Sequence, residues 1–231
     1  MWNRAFAALL LIAASLTACR KPPEQAHFPK AHRDVASIVG DSFSTEDARD
    51  RLGEAEQVIR LSGVVPGMSV ADIGAGEGYY TVRLAPVVGK HGRVLAEDIV
   101  PETIEQLAQR VHRENLDNVA VILGSPDNPR LPAQSFERIY LVHMYHEVES
   151  PYAFLWHVRT GLKPGGEVIV VDANRPPRRH GMPPRQLECE LNALGLKLVR
   201  YQSIAEGEAY FAAFKAALPR PEPGQIKACN G

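Results

Sequence analysis

The chain is poor in cysteine. Its 231 residues include three, Cys19, Cys189 and Cys229, and none falls in a Cys-x-x-Cys spacing, so no redox or zinc motif of that kind is present. It also lacks an excess of either charge: 26 Lys and Arg against 27 Asp and Glu leave a formal net charge of -1. No nucleic-acid partner is therefore expected, since such proteins carry a basic balance or a clustered basic face. The run Arg175 to His180 is too short and too rich in proline to supply one. No fixed-period repeat and no long low-complexity tract occurs, which excludes a solenoid. The longest apolar run, Ala5 to Leu16, is too short to span a bilayer well. What is there is 45% hydrophobic and 23% charged, the balance of a globular chain with one sizeable core.

The apolar run follows Arg4 and ends in small residues, the layout of a secretory signal peptide over residues 1–18. A buried amphipathic helix does not fit, because Ala5 to Ile12 is apolar on every side. Leu16-Thr17-Ala18-Cys19 resembles the lipobox of bacterial lipoproteins. That resemblance implies an acylated Cys19 as first mature residue and a lipid anchor in the cell envelope, facing the periplasm. Arg20 in place of Asp favours the outer membrane. Cys189 and Cys229 then either pair, as an oxidising compartment permits, or stay as two thiols, one in a helix and one in a loose tail. A start at Val35 or Val39 would instead make the protein cytoplasmic, whereas Met68 lies too far inside the domain to serve.

Residues 19–43, with Pro22, Pro23 and Pro29, read as a tether, 44–218 as the folded domain and 219–231 as a C-terminal tail. Ser44-Thr45-Glu46-Asp47 resembles a capping box, and Ala48, Leu52, Ala55 and Ile59 recur at helical spacing, which predicts a helix to about Leu61. Beyond it, β-rich runs alternate with helical ones. Strands are predicted at Ser69 to Ile73, Arg93 to Asp98, Val119 to Leu123, Arg138 to His143, Gly166 to Asp172, Leu196 to Gln202 and Ala209 to Lys215. Helices are predicted at Tyr79 to Val88, Pro101 to Asn115, Pro151 to Gly161 and Pro184 to Leu194. This alternation predicts an α/β fold, a mostly parallel sheet with helices on both faces and an antiparallel hairpin at one edge.

Asp72-Ile73-Gly74-Ala75-Gly76-Glu77-Gly78 sets a glycine-rich turn between a strand and a helix, the context for nucleotide recognition. Tyr79 stands where the third glycine of the dinucleotide fingerprint belongs. Asp72, at the strand end, would repel a diphosphate and attract a cation. S-adenosylmethionine carries an ammonium and a sulfonium and no phosphate, so the acid suits it and disfavours NAD. Asp98, at the end of the next strand, can accept both ribose hydroxyls; by strand alternation Glu97 points away from the ligand.

With these motifs and Leu162-Lys163-Pro164-Gly165-Gly166, residues from about 49 to 215 resemble a class I S-adenosylmethionine-dependent methyltransferase. The resemblance implies a Rossmann-like sheet of seven strands, with Leu162 to Gly166 as the loop before the fifth. It places Asp72, Gly74, Ala75 and Gly76 at the methionine part of the cofactor and Asp98 with Ile99 at the ribose. Gly124, Ser125 and Pro126 would lie near the adenine. The family frequently has an acid where this chain has Ser125, and Asp127 is the nearby substitute.

Ligands of parallel sheets bind at the carboxyl ends of the strands, so Val142 to Glu147 should line the pocket. Methyl transfer is a direct displacement that needs alignment and, for an oxygen or nitrogen acceptor, removal of a proton. His146 is the first candidate for that base, with Glu147 to orient it and His143 nearer the cofactor. The same side chains also suit capping of the following helix. His143-x-x-His146-Glu147 is not a zincin arrangement and no further ligand cluster is visible, so no metal is expected. The acceptor is expected to be a small molecule. The alternatives are a catalytically inactive, lipid-anchored nucleoside-binding module and an NAD-dependent oxidoreductase.

Overall fold

The computed structural model describes residues 27–38 and 45–230. The expected signal peptide, Cys19 and Ser44 lie outside them. Thr45 caps α1 (Glu46–Arg51), its hydroxyl accepting the Ala48 N–H. The single helix expected here is two: Gly53 turns left-handed (φ 61°) and α2 (Glu54–Ser62) starts afresh. The break lets the chain fold back at a corner that a continuous helix would straighten.

Seven strands then form one sheet. They are β1 (Ser69–Ile73), β2 (Arg93–Asp98), β3 (Val119–Leu123), β4 (Phe136–Val142), β5 (Leu162–Asp172), β6 (Leu196–Ile204) and β7 (Ala209–Ala216), in the order β3-β2-β1-β4-β5-β7-β6. All neighbours are parallel except β7, which runs antiparallel between β5 and β6. The connecting helices are α3 (Tyr79–Val88), α4 (Pro101–Arg113), α5 (Pro151–Gly161) and α6 (Pro184–Ala193). The expected loop Leu162 to Gly166 is instead the entry of β5: Leu162 pairs with Phe136, and the ladder shifts register before Arg138 pairs with Glu167.

Strand alternation divides the core. Ile73, Ile139, Leu141, Val168, Val170 and Phe214 pack with α5 and α6 on one face. Val70, Tyr140, Ile169, Val171, Phe211 and Ala213 pack with α2 and α3 on the other. Because β1 pairs with both β2 and β4, the chain reverses direction across the sheet at β1, and the crevice beside its carboxyl end is where such sheets take ligands.

Both extensions are docked where described. In the expected tether, Phe28 meets Trp156 edge to face, and Arg33 forms an ion pair with the buried Glu190 at 2.9 Å. The tail is not loose: Cys229 is disulfide-bonded to Cys189, and the Trp156 ring carries the Arg220 guanidinium 3.7 Å from its centroid. No helix among the described residues is long and apolar enough to cross a membrane.

Candidate active site

The carboxyl ends of β1, β2, β4 and β5 open into a cleft of about 1440 Å³. This exceeds the roughly 300–1,000 Å³ of a single small-ligand site and leaves room for two ligands. Gly74, Ala75, Gly76, Asp98, Ile99, Ser125 and Pro126 line one end, with His143 and Met144 between it and the other.

The turn after β1 depends on Gly74. Its φ is 65°, and a β-carbon there would sit 2.9 Å from Met144 Cγ. The Ala75 N–H donates to the Glu97 carbonyl at 2.9 Å, which ties the turn to β2. Asp98 holds it from the side: Oδ2 accepts the Gly76 N–H and Oδ1 accepts the Val100 N–H, both at 3.0 Å. A carboxylate has about four acceptor sites, so two remain for hydroxyls in the cleft.

Asp72 lies beneath the turn, not at its mouth. It is 3% exposed, accepts the Thr81 hydroxyl at 2.6 Å and is absent from the cleft wall. Burial pushes its carboxyl up to about 6 against the Thr81 bond and the charge of Arg49. Gly124 is also missing from the wall, because the Glu97 side chain fills its place and a β-carbon on Gly124 would overlap that carboxyl. Glu97 itself lines the cleft, contrary to expectation. It is 2% exposed, its Oε1 has no hydrogen-bond partner, and burial with the Asp98 charge pushes it up to about 8. Asp127 is exposed and outside the wall: Ser125 and Asn128 bridge into a tight turn that carries it away, and its Oδ1 accepts the Ser125 hydroxyl at 3.3 Å.

Sequence reasoning missed Arg49 and Glu54, which line the cleft from the break between α1 and α2. Arg49 donates to Glu54 at 2.6 Å and lies 3.9 Å from the Tyr79 ring centroid. Glu54 also receives the Tyr80 hydroxyl and meets His143 Nε2, both at 3.0 Å. Burial raises its carboxyl, but His143 and Arg49 outweigh that and hold it near 2, lowered to about 2 from its ordinary value of 4.5. Arg49 thus faces the glycine turn as a cation, while Asp72, Glu97 and Asp98 surround the turn with carboxyl groups. A phosphate-free nucleoside bearing both positive and negative ends fits this arrangement.

The other end of the cleft is walled by His146, Glu147, Arg175 and His180. His146 sits on a short 3-10 turn after β4 and is 2% exposed. The carboxylate that orients it is Asp172, at the end of β5, with Oδ2 2.9 Å from Nδ1. Glu147, the expected partner, stands on the opposite side, 4.0 Å from Nε2. Asp172 can only accept, so Nδ1 carries the proton and Nε2 presents a lone pair. His180 reaches the same spot from the loop after β5, its ring edge-on to His146 with centroids 5.6 Å apart. The fold thereby gathers a ligand cluster that the sequence did not show: atoms of His146, Glu147 and His180 lie within 4.8 Å of one another.

Residues 70–166 match the family described as the methyltransferase domain. The chain is 26% identical over 170 residues to a ubiquinone/menaquinone biosynthesis C-methyltransferase of Pseudoalteromonas translucida, covering 67% of this chain and 68% of that protein. It is 27% identical over 104 residues to a protein-L-isoaspartate O-methyltransferase of Methanothrix thermoacetophila, of which it spans 47%. Among solved structures, an S-adenosylmethionine-dependent methyltransferase from Aquifex aeolicus superposes with a TM-score of 0.68 at 24% identity, over 72% of this chain and 92% of that one. The matched stretch contains the glycine turn, Asp98 and the β4 end, and the seven-stranded sheet has the Rossmann-like fold of that Aquifex aeolicus methyltransferase.

Proposed function

We propose that the protein methylates a small-molecule acceptor in the cell envelope. The observation that carries this reading is the continuity of the cleft, with the Gly74–Gly76 turn and Asp98 at one end and the Asp172-oriented His146 at the other. The cofactor supplies an electrophilic methyl group on a sulfonium. The Gly74–Gly76 turn seats its methionine part and Asp98 its ribose, Arg49 faces its carboxylate, and Asp72 beneath the turn favours its positive charge. His146 faces the acceptor and makes it nucleophilic; Asp172 fixes the ring that does so. The two relatives named above act through carbon and oxygen acceptors respectively, so the shared domain leaves the acceptor to the variable end of the cleft.

Calorimetric titration tests the reading. S-adenosylmethionine and its demethylated product should bind and NAD should not; binding of NAD alone overturns it.

Export and lipid anchoring rest on residues 1–19 together with the Cys189–Cys229 disulfide, which suits an oxidising compartment. Cys19→Ser should release the protein from membranes, and persistent membrane association would reject the anchor.

A further inference from the structure

We propose that His146, Glu147 and His180 bind a divalent transition-metal cation at the acceptor end of the cleft, which selects an oxygen nucleophile as the acceptor. The cation site stands on geometry alone; the choice of acceptor rests on the methyltransferase reading.

Three observations carry it. The first is the donor set, two imidazoles and a carboxylate with ligand atoms within 4.8 Å of one another. Ligands around zinc at about 2.0–2.1 Å stand roughly 3.4 Å apart, so the cluster needs only a modest contraction. Two nitrogens select zinc, iron, cobalt or manganese over magnesium and calcium, which prefer all-oxygen sites. Three protein ligands also leave coordination positions open.

The second is the support behind His146. Metal-ligating histidines donate their other ring N–H to a carboxylate or carbonyl, which fixes the tautomer. Asp172 does this at Nδ1 from full burial, and its Oδ1 is itself held by the Ala173 N–H at 2.8 Å. Nε2 is thereby aimed at the cluster.

The third is how His180 is delivered. Its backbone is left-handed (φ 53°), an uncommon state for a residue with a β-carbon. The loop imposes it: the His180 N–H donates to the Pro177 carbonyl at 2.7 Å, its carbonyl accepts Arg175 Nε at 3.1 Å, and Met182 N–H closes on the Ala173 carbonyl at 2.9 Å. A solvated surface loop needs no such restraint. Here it sets the ring against His146. With its Nε2 lone pair on the cation, His146 serves as ligand in place of base, and the positive charge would instead lower the proton affinity of an acceptor hydroxyl brought against it, the proton leaving to solvent.

The test uses the purified full chain, stripped with a chelator and titrated with Co²⁺ while visible absorption is followed. One cation should bind per chain and be displaced by Zn²⁺. His180→Ala and Glu147→Gln should each weaken binding by about tenfold or more, and Asp172→Asn by about 10- to 100-fold. His112→Ala, on the exposed side of α4, should change nothing. Melting curves of each variant confirm folding. Absence of Co²⁺ binding, or binding that His180→Ala and Glu147→Gln leave intact, overturns the site. Titrating S-adenosylmethionine into the same stripped chain separates the two ideas. Cation without cofactor ends the methyltransferase reading and keeps the site, whereas cofactor without cation does the reverse.

Discussion

Asp172 lies directly behind His146, with both carboxylate oxygens within hydrogen-bond distance of Nδ1, at 2.9 and 3.1 Å. The two residues are brought together because β4 and β5 are parallel neighbours whose ends meet, Val142 beside Val171. The pair makes a direct prediction about protonation. In the native chain the proton should reside on Nδ1. Asp172→Asn places an amide there that can donate instead, which should move the proton to Nε2. Long-range nitrogen–proton NMR of His146 reads the tautomer; an unchanged pattern in the variant would show that Asp172 does not set it.

Asp98→Ala should weaken S-adenosylmethionine binding by about 1 to 3 kcal/mol, the scale for losing hydrogen bonds to a charged group, or roughly 5- to 150-fold in Kd. Asp98 also holds the Gly76 and Val100 N–H groups, so the variant should melt earlier as well. Asp98→Asn keeps acceptors on one side and should fall between the two. Equal affinity in wild type and Asp98→Ala would remove Asp98 from the cofactor site.

Several strand and helix bounds were legible because local signals agreed with the fold: Tyr79 to Val88 and Arg93 to Asp98 each lie between a glycine turn and a shift in periodicity. The cofactor turn was legible for the same reason. What escaped the sequence is convergence. Nothing near His146 announces Asp172, which comes from the end of β5. Arg49 and Glu54 read as an ordinary helix surface until Gly53 breaks that helix and turns them into the cleft. Glu97 escaped for a subtler reason. Alternation along β2 does set it opposite to Asp98, but the neighbouring strand gives way to Gly124, whose missing side chain opens a path to the cleft.

Glu97 should make stability fall as pH rises. Its folded value of about 8 lies above the ordinary 4.5, so the native state binds more protons than the unfolded chain across that window. The contribution is fully present below 4.5 and is lost on passing through about 8, with a limiting slope of about 1.4 kcal/mol per pH unit. Asp72, raised to about 6 from 3.8, adds the same sign in its lower window. Glu97→Gln removes the first term, so its melting temperature should overtake that of wild type toward alkaline pH. Parallel melting curves for the two proteins from about pH 5 to pH 9 would contradict this.

Arg33 and Glu190 make the last prediction, and it bears on where the protein begins. Their side chains are 4% and 0% exposed, and the guanidinium also donates to the carbonyls of Tyr145 and Val148 at 3.3 and 3.2 Å. Glu190 receives the Tyr145 hydroxyl at 2.6 Å as well. Removing one partner of a buried pair strands the other charge and costs about 3–5 kcal/mol. Arg33→Met should therefore lower the free energy of unfolding by that amount in urea. The double variant Arg33→Met with Glu190→Gln should recover much of it, because the stranded charge is gone. A chain that starts at Val39 lacks Arg33 and should show the single variant's instability, whereas one exported with residues 27–38 in place should not. Equal urea midpoints for the long and short chains would detach this segment from the stability of the fold.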